Sequence, residues 1–130
     1  MFCLDTDISV AFLRGNEDAA GKILSLRNSG EICTTFINVC ELYKGIFLSE
    51  KRDSNIQIVE EFLSKVSLLD SNSISAKIYG QNFSTLRDKG IIVPEMDLLI
   101  ASICEANDCS LVTRNIKDFK NIAGLICEAW

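Results

Sequence analysis

The sequence predicts an α/β fold, with helices packed around a central, mainly parallel sheet of four to five short strands. Three observations predict it. Short apolar runs rich in Ile, Val, Cys and Thr alternate along the chain with longer segments of helical periodicity. Strands that recur between helices are joined by crossovers, and crossovers make neighbouring strands parallel. The 130 residues are 48% hydrophobic and 24% charged, enough apolar surface for one well-formed core and too little chain for two.

Element by element, the pattern predicts a buried strand at residues 2–5, a short helix at 8–14 and a second helix at 18–29. Ser29-Gly30 is a helix-stop and turn signal. A strand is predicted at 31–36. The next helix, at 38–49, places Val39, Leu42, Tyr43, Ile46 and Phe47 on one face. A further helix follows at 54–64, using Ile58, Val59 and Phe62, then a strand at 66–69. A long helix at 74–89 ends at Gly90. Pro94 opens a helix at 95–107 with Met96, Leu99, Ile100, Ile103 and Cys104 on one face. A strand at 111–113, a helical turn at 116–120 and a last strand at 124–127 complete the chain. Two successive helices between the second and third strands break simple strand–helix alternation.

Composition removes several function classes. The chain has no histidine, which excludes Ser-His-Asp and Cys-His schemes and any imidazole general base. Its six cysteines (3, 33, 40, 104, 109 and 127) include no CxxC pair. They read as reduced, small hydrophobic residues of a cytoplasmic protein rather than as disulfides or a zinc site. No apolar run reaches the roughly 18 residues of a membrane helix, and Asp5 and Asp7 interrupt any secretory leader. The net charge of −5 argues against a general nucleic-acid binder. Local charge differs: Arg114, Lys117 and Lys120 gather near the C-terminus, and Lys44, Lys51 and Arg52 gather mid-chain.

Chemistry is then left to carboxylates. In open parallel sheets functional groups collect at the carboxyl ends of strands. Asp5 closes the first predicted strand, and Thr113, Arg114 and Asn115 close the fourth. Glu41 and Asp97 lie early in helices. Each acid also has a plainer role: Asp7 as a helix N-cap, Asp97 as a favourable charge in a first helical turn, Glu41 as a solvated helix position, and Asn115 with Asp118 as a capping box. Asp5, an acid ending an apolar strand, is the hardest to explain by solubility alone. Gly45 and Ala101, each one turn beyond Glu41 and Asp97, suggest space beside both carboxylates. Clustered carboxylates repel unless a cation relieves them, and hard divalent ions prefer such oxygen ligands.

Four segments carry a resemblance: Leu4-Asp5-Thr6-Asp7, Glu41-Leu42-Tyr43-Lys44-Gly45, Pro94-Glu95-Met96-Asp97-Leu98-Leu99-Ile100-Ala101, and Leu111 through Phe119. In this order and spacing they resemble PIN-domain ribonucleases, most of all the VapC toxins of toxin–antitoxin pairs. The resemblance implies a three-layer α/β/α domain over residues 1–130 and RNA phosphodiester hydrolysis dependent on Mg²⁺ or Mn²⁺. It implies Asp5, Glu41 and Asp97 as catalytic metal ligands, with Thr6 and Thr113 as supporting hydroxyls. It also implies an RNA substrate, tRNA among the candidates, a VapB-type antitoxin and a homodimer. Lys44, Arg114 and Lys117 are the candidate RNA-binding cations.

The chain departs from the family pattern twice. Asp7 stands where Asn is usual, and Asn115 stands where Asp is frequent. Either Asp7 compensates for the missing acid or Asp118 swings in, and the expected centre holds one metal firmly, with a second arriving with RNA phosphate. Two other functions fit the fold class. One is a PIN-like domain that binds RNA or protein without cleaving. The other is a magnesium-binding phosphoacceptor domain with Asp70 as acceptor, which the doubled helices and the lack of a suitably placed lysine disfavour. For an antitoxin peptide, an apolar groove between helices would serve; Phe12, Phe47, Leu48 and Trp130 are candidates for it, with core packing the commoner fate.

Overall fold

The computed structural model describes residues 1–130 and contains five strands and seven helices. Strand β1 (Phe2–Leu4) leads into α1 (Thr6–Leu13) and α2 (Glu17–Ser29), then β2 (Ile32–Thr34) into α3 (Phe36–Phe47) and α4 (Arg52–Leu63). The edge strand β3 (Ser67–Leu68) precedes the α5 (Ser73–Asp88) and α6 (Glu95–Ala106) hairpin. Strand β4 (Ser110–Thr113), α7 (Ile116–Phe119) and β5 (Cys127–Ala129) end the chain.

All strands are parallel, in the order β3-β2-β1-β4-β5. The side-chain period of two divides the core into two layers. Cys3, Cys33 and Leu111 face α5, α6 and α7, whereas Leu4, Ile32 and Val112 face α1 through α4. Burial on both faces explains why these strands read as unbroken apolar runs.

The strand order has a functional consequence. The chain leaves β1 for β2 on one side and returns to β4 on the other, so β1 and β4 flank the point where the winding reverses. Crevices at such points, beyond the carboxyl ends of the strands, are where ligands bind in open α/β sheets. Asp5 and the Thr113–Asn115 segment stand at those ends.

Several predicted boundaries shift. Helix α1 starts at Thr6, and its N-cap is Asp5, not Asp7. Asp5 has the extended backbone (φ −64°, ψ 155°) of a cap, and its side chain accepts from the Thr6 N–H. Asp7 is an exposed residue of the first turn. The last strand lies at 127–129 rather than 124–127, because the apolar Leu125 and Ile126 belong to the approach. There the Ile126 carbonyl accepts from the Leu111 N–H at 2.8 Å. Asn115 makes no side-chain cap; its amide instead contacts the Asp118 carboxylate, side chain to side chain. Asp70 lies exposed beyond edge strand β3, bound by Asn72, far from the central position a phosphoacceptor would need.

All six cysteines are free thiols. Cys3, Cys33, Cys104 and Cys109 are buried together in the layer under α6, with Cys33 and Cys109 sulfurs 3.0 Å apart. Cys40 is exposed. No helix is long and apolar enough to cross a membrane.

Candidate active site

Asp5 is the fixed point of the site. It is buried (8% exposed) at the top of the central strand. Its Oδ1 accepts from the Thr6 backbone N–H at 2.8 Å and its Oδ2 from the Thr113 hydroxyl at 2.6 Å. The same carboxylate therefore caps α1 and ties β1 to β4. Burial pushes its pKa up and the charge of Asp7 adds to this, while the Thr113 and Thr6 donors pull it down.

Glu41 reaches the site from the second turn of α3. Its Oε1 accepts the Thr6 hydroxyl at 2.7 Å. Behind Thr6 lies Asn38, fully buried, whose Nδ2 donates to Thr6 Oγ1 at 3.0 Å. A second threonine is held the same way: the Asn115 backbone N–H donates to Thr113 Oγ1 at 3.0 Å, and Thr113 passes its own proton to Asp5. Each threonine hydroxyl thus receives one N–H and donates to one carboxylate.

Asp97 sits in the first turn of α6, just after Pro94, where the helix dipole favours an anion. That effect loses to its surroundings. Its pKa is pushed up to about 6, first by burial and then by the charges of Asp5, Asp118, Glu41 and Asp7. Five acids therefore lie within electrostatic reach at this end of the sheet. None of them has a cationic partner, since the chain's one ion pair is Lys65–Glu61, at 2.9 Å on the surface of α4.

A cleft of about 200 Å³ between α1, α3 and α4 opens beside Glu41, with Arg14, Gly45 and Asn55 in its wall. Gly45 has open space where a Cβ would stand. The matching expectation for Ala101 fails. That residue is fully buried, packing α6 onto the sheet rather than leaving room beside Asp97. A larger apolar groove of about 450 Å³ lies alongside, between α1, α2 and α4, lined by Phe12, Leu13, Ile23, Leu24 and Phe62.

The sequence profile of the PIN domain family matches residues 2–125, nearly the whole chain. The chain belongs to the PIN domain family. This PIN domain is 35% identical to "Ribonuclease VapC2" of Rickettsia felis, with 100% of this chain and 98% of the relative aligned. It is 28% identical to the "tRNA(fMet)-specific endonuclease VapC" of Shigella flexneri, over 99% of this chain and 97% of that one. Among solved structures it superimposes on VapBC2 from Rickettsia felis, bound to a DNA fragment from its promoter, with a TM-score of 0.93 and 33% identity. That match covers 99% of this chain and 98% of the other.

Within the PIN domain, the residues picked from sequence fall into three groups. Asp5, Thr6, Glu41 and Thr113 are linked by hydrogen bonds, and Asp97, Asp7 and Asp118 join them through charge. Asn115 serves both through its backbone, to Thr113, and through its side chain, to Asp118. Lys44, Arg114 and Lys117 are exposed around the crevice's elements rather than paired with its acids. The Arg114 guanidinium lies over the Trp130 ring, 4.9 Å from its centroid. Of the candidate groove residues, Phe12 lines the groove against Phe62, Phe47 and Leu48 are exposed elsewhere, and Trp130 lies half-buried under Arg114. Asn38 was not anticipated. Three residues before Glu41 on the same helix, its spacing alone could have flagged it.

Proposed function

We propose that this PIN domain is an endoribonuclease of the VapC kind, hydrolysing RNA phosphodiester bonds with Mg²⁺ or Mn²⁺ and restrained by a VapB-type antitoxin. The observation that carries the reading is the set of carboxylates from β1, α3, α6 and α7 that meet at the winding-reversal point without a cation to balance them. Asp97, raised to about 6 first by burial and then by four neighbouring acids, is a carboxyl that a nearby cation would favour in its charged form.

The donor set suits a hard divalent ion: every acid of the cluster offers oxygen, and the chain has no histidine. No three acidic or sulfur side chains are gathered closely enough to enclose an ion by themselves. Magnesium does not ask for that, since it commonly keeps waters and takes one or two carboxylates plus phosphate oxygens. Asp5, Glu41 and Asp97 would hold it between them, some of the contacts passing through waters the ion retains. When bound, such an ion polarises a phosphoryl oxygen and makes water a nucleophile at neutral pH, which is what a chain without histidine lacks.

The protein's own part is orientation. Thr113 and the Thr6 N–H fix Asp5 in one rotamer, and Thr6 fixes Glu41, so two carboxylates are aimed before any ligand arrives. Arg114 and Lys117 supply exposed positive charge beside the acidic centre for the RNA backbone. The apolar groove beside the Glu41 cleft is suited to an antitoxin helix or extended segment. The relatives support both partners, being named ribonucleases and solved as VapBC complexes.

The test is cleavage of RNA by the purified chain with Mn²⁺. Cutting is expected in wild type and is lost in Asp5→Ala and Asp97→Ala. RNA that is bound but left intact by wild type across Mg²⁺ and Mn²⁺ would make this a binding domain instead.

A further inference from the structure

Asn38 is buried and polar, and it stands outside the set of carboxylates. Its plainest role is local: with Thr35 it forms the capping box of α3, the Asn38 backbone N–H donating to Thr35 Oγ1 at 3.1 Å and Asn38 Oδ1 accepting from Thr35. That role needs an acceptor and nothing more. In α5 the same box is completed by a hydroxyl, Ser75, whose Oγ accepts from the Asn72 N–H at 3.0 Å. The amide nitrogen of Asn38 is therefore surplus to the cap.

Its direction is not ambiguous. Oδ1 faces the Thr35 N–H, the Thr35 hydroxyl at 2.6 Å and the Cys3 thiol at 3.9 Å, all donors. Flipping the amide would set the NH₂ group against the Thr35 N–H, donor against donor. Nδ2 must then face Thr6, and it donates to Oγ1 there. A threonine hydroxyl has a single proton. With an N–H already aimed at its oxygen, that proton is turned outward, to Glu41 Oε1. The chain of bonds has one polarity, from Asn38 through Thr6 to Glu41, and it reinforces itself in a partly buried setting.

We propose that Asn38 is a positioning residue of the carboxylate site, whose amide N–H orients the Thr6 hydroxyl so that Glu41 is pinned through Oε1 and presents Oε2 to a divalent cation. The inference rests on the metal-site reading above. It adds a residue that touches neither substrate nor ion, placed on the same helix as the carboxylate it controls. Thr113 is driven by a backbone N–H, which no substitution at Asn115 other than proline would remove. The Thr6 relay is the one that depends on a side chain.

The experiment uses the full chain and Mn²⁺ titrated by calorimetry. Asn38→Ser keeps a capping-box hydroxyl of the kind found at Ser75 but removes the amide donor; Thr6→Val removes the relay. Each is expected to weaken Mn²⁺ binding by about tenfold, the double variant to be no weaker than either single one, and Thr6→Ser to bind as wild type. Wild-type Mn²⁺ affinity in a folded Asn38→Ser, or losses that multiply in the double variant, overturns the inference. A second measurement needs neither metal nor activity. In the metal-free chain the Asn38 side-chain NH₂ protons are expected to be protected from exchange and to shift in the ¹H–¹⁵N spectrum of Thr6→Val. Unaltered NH₂ signals in that variant overturn the inference even if Asn38→Ser does not fold. If wild type binds no Mn²⁺, the metal reading fails by itself and the amide signals still decide the relay.

Discussion

The Thr113 hydroxyl donates to Asp5 Oδ2 at 2.6 Å, joining the ends of β4 and β1 across 108 positions of sequence. Asp5 is buried and its pKa is raised, so this donor, together with the Thr6 N–H, is what favours its charged form. Thr113→Val keeps the shape and removes the proton. Cleavage by the variant is expected to fall by about 10- to 100-fold, the usual cost of losing a residue that orients a metal ligand, whereas Thr113→Ser stays near wild type. Initial rates on a fluorogenic RNA at fixed Mn²⁺ check this; equal rates for Val and Ser would show that the hydroxyl is idle.

Asp97 makes the metal-free chain sensitive to pH. Its folded pKa of about 6 stands above the ordinary 3.8, so between those values the folded chain holds a proton that the unfolded chain has released. The stability this contributes is complete below about pH 3.8 and is lost as pH rises through 6. Asp97→Asn removes the loss. At pH 7.5 and without metal the variant is expected to be more stable than wild type by about 1 kcal/mol, a figure already reduced for solvent screening of a half-exposed group. The gap should close toward pH 4. Urea midpoints measured across that range would refute the idea if the two proteins ran parallel.

Metal uptake should also expel that proton. At pH 6, Mn²⁺ binding to wild type is expected to release a fraction of a proton, read as a dependence of the calorimetric heat on buffer ionisation enthalpy. Asp97→Asn, if it binds at all, should show none.

Asp7 is exposed, yet its charge raises both Asp5 and Asp97. Asp7→Asn is expected to weaken Mn²⁺ binding by a few-fold, less than the loss at a direct ligand, because water screens an exposed charge. Calorimetry returning an unchanged affinity would mean that this acid does not compensate for the amide at Asn115.

Arg114→Ala is expected to weaken RNA binding roughly evenly across sequences and to lower the salt dependence by about one phosphate contact. Binding isotherms at several salt concentrations, with uncleaved RNA held on Asp5→Ala, measure it. An unchanged slope would assign Arg114 to Trp130 alone.

Most of the architecture was legible because the two periodicities are clean: every helix and strand of the chain was anticipated, and the carboxylates lay where parallel sheets place function. The misses have physical causes. Glu128 and the edge position of β5 dilute its apolar signal, which moved the strand three residues early. Asp7 looked like a cap because Asp5 was assigned wholly to the site, while one carboxylate does both jobs. Asn38 hid behind a role that its backbone and Oδ1 fulfil, and only coordinates show where its nitrogen points. Asp118 could be named from sequence, but its effect on Asp97 passes through space between α7 and α6.

The central strand is made well before its β4 neighbour and is completed only by it. Residues 2–4 are synthesised before residue 113, so β1 gains β4 as a neighbour, and Asp5 its Thr113 donor, only after residue 113 is free. Contacts of such long sequence separation form late and slowly. A growing or prematurely ended chain that stops short of β4 therefore carries Asp5, Glu41 and Asp97 without the strand that assembles them. If the proposed RNA cleavage depends on that pairing, only a chain that has reached β4 is expected to cut.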